Sequence, residues 1–194
     1  AAEPEFSEHQ LSRALIACEA EHITPLIVLN KADLAAPFAR AWQRLAPYRA
    51  MGYTVLPLAA KPVLNPLRLG EGWVEGDPDP LATPLQPHPN PLPPAGEGAM
   101  LADVTERLHG HTTLILGPSG AGKSTLINRL IPGAAAQTGE ISQALNSGKH
   151  TTTTTTWYWL DHEKTSALID SPGFQEFGLR HIHPMQLAAY MPDI

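Results

Sequence analysis

The stretch TTLILGPSGAGKSTLINRL, Thr112 to Leu130, constrains this chain more than any other. Gly117 to Ser124 fits the pattern G-x-x-x-x-G-K-[ST] at every fixed position, between an apolar run of strand character and the helix-periodic Leu126, Ile127 and Leu130. Glycines permit a tight turn that aims successive backbone N–H groups at one point, and the helix that follows presents its positive end there. A loop of this kind cradles phosphate. Gly117, Ser119, Gly120, Ala121, Gly122 and Thr125 are thus candidates for contact with a nucleotide, Lys123 for its β and γ phosphates, and Ser124 for a Mg²⁺ ion. The plain alternative is a glycine-rich turn of no consequence; the strand before it and the helix after it weigh against that.

The flanking sequence alternates in the same way. Ser7 and Gln10 resemble a capping box, and Leu11, Leu15 and Cys18 follow at helical spacing, which predicts a helix over 7–21. PLIVLN reads as a strand buried on both faces. A helix over 37–51 with Phe38, Trp42 and Leu45 on one face, a strand from Tyr53 to Leu58, and a short helix marked by Leu101, Val104 and Leu108 follow. Trp157 to Leu160 and Ser166 to Ile169 read as a hairpin closed by the turn Asp161 to Lys164. A mostly parallel sheet with one antiparallel edge strand, and helices on both faces, is the expected architecture.

Two further loops sit at strand exits, where open α/β sheets bind their ligands. DSPG places Asp170 at the end of an apolar run; a carboxylate there can hold Mg²⁺, and the Gly173 N–H can meet a γ phosphate. Alone, the same tetrapeptide is an ordinary turn. NKAD places Asp33 where a carboxylate can accept hydrogen bonds from the N1–H and exocyclic amine of guanine, groups that adenine does not offer in that position. Lys31 would lay its stem along the base and Asn30 would tie this loop to the phosphate loop. A helix-capping turn is the competing reading, because Asn and Asp favour such positions anyway.

Composition narrows the class. The chain has 194 residues, 43% of them hydrophobic and 16% charged, with a formal net charge of -6, enough apolar content for a buried core and no overall charge bias toward nucleic acid. One cysteine, Cys18, leaves no disulfide framework and no multi-cysteine zinc site, and no apolar run reaches the length of a membrane span, so a cytoplasmic protein is expected. The 20 prolines are unevenly placed and crowd the stretch between Pro62 and Pro94. Neither helix nor sheet interior accepts that density. The expected division is 1–61 as a first part of one α/β domain, 62–98 as a Pro-rich flexible insertion, and 99–194 as its second part. PxxP spacing at Pro84 and Pro87, and again at Pro91 and Pro94, leaves open a ligand for an aromatic groove.

The order of the motifs is unusual. In a Ras-like GTPase the P-loop comes first and NKxD last; here NKAD, AAK (59–61), the P-loop, KHTTT (149–153) and DSPG follow one another, a circular permutation of that set. Domain termini commonly lie close together, so permutation can preserve a site built from several loops. With AAEPEFS, PLIVLNKADL, GPSGAGKSTLIN, TGEIS, GKHTTT and DSPGFQEFGL, the sequence resembles the RsgA (YjeQ) family of circularly permuted GTPases, over all but the Pro-rich stretch.

That resemblance implies a P-loop NTPase fold, a permuted Ras-like GTPase domain, and slow GTP hydrolysis stimulated by the small ribosomal subunit. It implies that Thr152 is the switch threonine meeting Mg²⁺ and that backbone at Ala60 contacts the base edge. Phe174 occupies the position of the water-orienting Gln of Ras-like enzymes and cannot bond water, so the resemblance points to His150 as the catalytic group, with Gln175 one residue late. The Thr151 to Thr156 run also reads as plain strand. The family further carries an OB-fold that contacts RNA and a zinc-binding module, neither of which is expected within these residues. Two other functions fit the residues: an adenine-specific P-loop kinase or ATPase in which NKAD matches by chance, and a nucleotide-binding scaffold with little turnover.

Overall fold

A computed structural model describes residue 2 and residues 7–61, 97–136, 155–171, 178–179 and 182–190. The elements run α1 (Glu8–Ala20), β1 (Leu26–Asn30), α2 (Ala35–Arg44), α3 (Ala46–Ala50), β2 (Thr54–Leu58), α4 (Glu97–Leu108), β3 (Thr112–Ile115), α5 (Lys123–Leu130), β4 (Thr156–Trp159) and β5 (Ala167–Asp170), followed by a 3-10 helix (Pro184–Tyr190). Most of the Pro-rich stretch, most of the Thr run and residues 172–177 lie outside the described part.

Local chemistry accounts for most of the element boundaries. Ser7 caps α1 by accepting a hydrogen bond from the Gln10 backbone N–H at 3.4 Å. The single helix expected over 37–51 is instead two, α2 and α3, broken at Leu45. Pro47 is the cause: it brings no N–H for the carbonyl one turn back, and it is tolerated only because it stands in the first turn of α3. α4 starts at Glu97, two residues inside the stretch expected to be loop.

Strands β1 and β2 pair in parallel, Leu26 opposite Thr54 through Asn30 opposite Leu58. The other three strands form the sheet β3-β5-β4, with β3 parallel to β5 and β4 antiparallel at the edge. Two apolar clusters hold the pairs. One joins Leu58, Ala60, Val104, Leu108, Ile127 and Leu168, so that α4, α5 and one face of both sheets share a core. The second packs Leu29 of β1 against Phe38, Ala41, Trp42 and Leu45 on α2 and at its end, so β1 is covered on both faces. Phe38 and Trp42 stack with ring centroids 5.9 Å apart, and burying each such side chain contributes on the order of 1.5–3 kcal/mol. By contrast, the face of β3-β5-β4 away from the core leaves Leu114, Trp157 and Trp159 between 43% and 48% exposed.

The β4–β5 turn is closed by one side chain. The Asp161 carboxylate accepts hydrogen bonds from the Thr165 backbone N–H (2.9 Å) and hydroxyl (3.0 Å) and from the Ser166 N–H (2.7 Å). These donors hold its pKa well below the usual carboxylate range.

Candidate nucleotide-binding site

Strands β1, β3 and β5 all end toward one place. Asp170, the last residue of β5, sits opposite Ile115, two residues before the P-loop, and the Ser171 hydroxyl donates to the Ile115 carbonyl at 3.1 Å. Sequence reasoning did not find Ser171, because nothing in local spacing signals a bond to a neighbouring strand. Gly120 and Gly122 adopt left-handed backbone, φ 77° and 93°, which lets the loop double back before α5 starts at Lys123.

Asn30 is the knot. It is 8% exposed, at the exit of β1, and its Nδ2 donates to the Ala121 carbonyl of the P-loop at 2.9 Å. Its Oδ1 accepts from the Lys31 backbone N–H at 2.7 Å and from the Ala60 N–H at 3.0 Å. One buried amide therefore joins NKAD, AAK and the P-loop. The approach is so close that a Cβ at Gly122 would run into the Asn30 amide, so this glycine is required for its lack of side chain as well as for its φ. Lys31 itself turns the chain through φ 71°, and the Ala32 N–H donates to the Leu58 carbonyl at 2.9 Å, which leaves Asp33 exposed on the turn beyond.

On the phosphate side Lys123 arches back over its own loop, its Nζ donating to the Gly117 carbonyl at 2.7 Å and the Pro118 carbonyl at 3.4 Å. Burial lowers its pKa, which the Asp170 charge partly offsets. Asp170 is 4% exposed; burial raises its pKa and Lys123 pulls it back. Its Oδ1 is buried with no hydrogen-bond partner. A buried carboxylate oxygen lacking a donor, at the strand end beside the P-loop, fits a hard cation. Mg²⁺ characteristically takes one or two protein oxygens and completes its shell with phosphate and water. Ser124, in the first turn of α5, places a second side-chain oxygen at the end of the same loop. The structure thus brings together Asn30, Lys31, Ala60, the P-loop from Gly117 to Thr125, and Asp170, with the loop bearing Asp33 joined to them through Asn30. His150, Thr152 and Gly173 lie outside the described residues.

A parallel-stranded α/β scaffold whose P-loop follows its Asn-Lys-x-Asp loop, with the two tied together, is the architecture of a circularly permuted P-loop GTPase domain. Solved structures agree on the fold. YjeQ from Thermotoga maritima matches with a TM-score of 0.57 at 23% identity, over 96% of this chain and 50% of that one. YloQ, described as a circularly permuted GTPase, matches with a TM-score of 0.55 at 23% identity, over 98% and 48%. The chain belongs to the RsgA GTPase family, whose model matches residues 1–69 and 94–180. The small ribosomal subunit biogenesis GTPase RsgA of Variovorax paradoxus is 60% identical over 194 residues, all of this chain and 51% of the relative. Its namesake in Burkholderia pseudomallei strain 1710b is 48% identical over 193 residues, 100% and 50%. The chain spans about half the length of the curated relatives it matches.

Proposed function

We propose that this chain is the guanine-nucleotide-binding and hydrolysing part of a switch protein that acts on the small ribosomal subunit. The convergence of NKAD, AAK and the P-loop on the single buried side chain of Asn30 carries this reading. A phosphate cradle rigidly tied to a carboxylate-bearing loop at the same end of the strands offers both ends of a guanine nucleotide a partner. The family match favours it over an adenine-specific kinase or a scaffold without turnover.

In this reading the backbone of Gly117 to Thr125 binds the phosphates, Lys123 neutralises the β and γ oxygens, and Asp33 accepts from the guanine N1–H and amine while Lys31 covers the base. Ser124, Asp170 and Thr152 hold Mg²⁺, which when bound neutralises charge on the β and γ phosphates. The Gly173 N–H meets the γ phosphate, and His150 orients the attacking water. Ribosomal RNA as partner and a cytosolic location follow from the relatives' role in small-subunit biogenesis; among the described residues no helix is long and apolar enough to cross a membrane. The Pro-rich residues that precede α4 are read as an insertion that the core tolerates at little closure entropy.

The base assignment is tested by Asp33→Asn. Removing the charged acceptor should weaken GDP binding by about 10²-fold or more and shift preference toward xanthosine diphosphate, whose 2-oxo group accepts where guanine donates. Unchanged GDP affinity in a competition titration would remove Asp33 from the base pocket. Single-turnover GTP hydrolysis with the small subunit present tests the other residue, where His150→Ala should cost about 10²-fold or more. An unaltered rate would exclude it.

A further inference from the structure

The base-edge loop has a second anchor, far from it in sequence. Arg129, in the last turn of α5, donates from Nη1 to the Ala60 carbonyl at 3.2 Å, across 69 positions of chain. The N–H of the same Ala60 is held by Asn30. Ala60 is buried, so both of its backbone polar groups need partners, and each partner fixes one of the two peptide planes that meet at this residue. In a trans peptide the carbonyl and the following N–H point in opposite directions. By holding the Ala60 carbonyl toward α5, Arg129 also sets the direction in which the Lys61 N–H points. Guanine carries an acceptor, O6, where adenine carries an amine, so the direction of N–H groups in the 59–61 loop bears on which base is preferred.

Arg129 also completes a circuit. α5 meets the base side at both ends: Ala121, just before it, receives the Asn30 amide, and Arg129, seven positions after Gly122, reaches Ala60. The helix that carries Lys123 and Ser124 is thereby braced against the loop at the base edge through a bond that does not pass through Asn30.

We propose that Arg129 is a positioning residue for guanine selectivity, holding the Ala59–Lys61 loop in register with the phosphate cradle through the Ala60 carbonyl. The inference rests on the guanine-nucleotide reading above. The test measures dissociation constants for GDP, ADP and inorganic tripolyphosphate with the full chain and with Arg129→Met and Arg129→Lys. Met keeps an unbranched stem and removes the donors; Lys restores one donor.

Arg129→Met should weaken GDP binding about tenfold, the scale of one charge-assisted hydrogen bond, and narrow the GDP-to-ADP ratio. Tripolyphosphate affinity should stay within about twofold, and Arg129→Lys should recover most of the GDP affinity. A generally loosened fold would lower GDP and tripolyphosphate binding by the same factor, and that result overturns the proposal, as does an unchanged GDP-to-ADP ratio. The parent chain's own ratio separates the two levels: no preference for GDP there sinks the guanine reading and Arg129's role with it, whereas a clear preference that Arg129→Met leaves intact sinks Arg129's role alone.

Discussion

The two ends of the candidate site are built differently. On the base side the polar atoms of Asn30 and the backbone of Ala60 are buried and mutually bonded, with three hydrogen bonds of 3.0 Å or less made by one amide. On the phosphate side Lys123 is bonded to carbonyls of its own loop and Asp170 keeps a buried oxygen with no partner. A satisfied network is rigid before anything binds. Groups held by burial against their charge, or turned inward on their own loop, give up little when a phosphate and a cation take them over. In the proposed reading, then, the base end is a preformed frame and the phosphate end is where binding changes the bonding.

The largest effect expected from this contrast is at Lys123. Lys123→Met should lower GTP turnover on the order of 10²- to 10³-fold in single-turnover assays, as loss of a transition-state donor does. The urea unfolding midpoint should hold or rise, because an ammonium that burial disfavours has been replaced by an apolar chain of similar length. A marked loss of stability would mean that the lysine is part of the frame.

Asn30→Ala should do the reverse. It leaves the Ala60 N–H and the Ala121 carbonyl without their partner, at a cost of about 2–4 kcal/mol of folding stability. GDP affinity should fall with it, since both loops lose their common anchor. If Asn30→Ala melts like the parent chain and only nucleotide binding suffers, the base end is not preformed and the contrast fails.

Much of the phosphate end was legible in the sequence because it is local. TTLILG, GPSGAGKS and KSTLINRL specify strand, turn and helix in consecutive residues, and α5 begins at the expected Lys123. The tie from Asn30 to the P-loop was legible too, since the NKxD pattern carries it. What the sequence hid was tertiary. The bond from Arg129 to Ala60 spans 69 positions, and that from Ser171 to Ile115 spans 56; neither lies within a periodicity or a motif. The helix break at Leu45 was visible in principle, as Pro47, but the apolar spacing of Phe38, Trp42 and Leu45 masked it: all three do share one buried cluster. At Glu97 the error ran the other way, because the Pro and Gly density of the preceding stretch concealed a helix start.

The same contrast between prebuilt and exchangeable bonding can be probed outside the site, at the β4–β5 turn, with the smallest expected effect. Asp161 is only partly exposed, its carboxylate organises the turn through three donors, and those donors hold its pKa below the usual range. A depressed carboxylate stabilises the fold fully above its unfolded-state pKa and loses that contribution as pH falls toward its folded-state value. The stability difference between the parent chain and Asp161→Asn should therefore be flat from about pH 5 to pH 8 and shrink as the solution is made more acid than the usual carboxylate range. Urea titrations at a series of pH values would show it. A difference that grows in acid would have the wrong sign for a carboxylate serving as acceptor, and a difference that is the same at every pH would assign the turn to the backbone of Thr165 and Ser166 rather than to the charge that caps it.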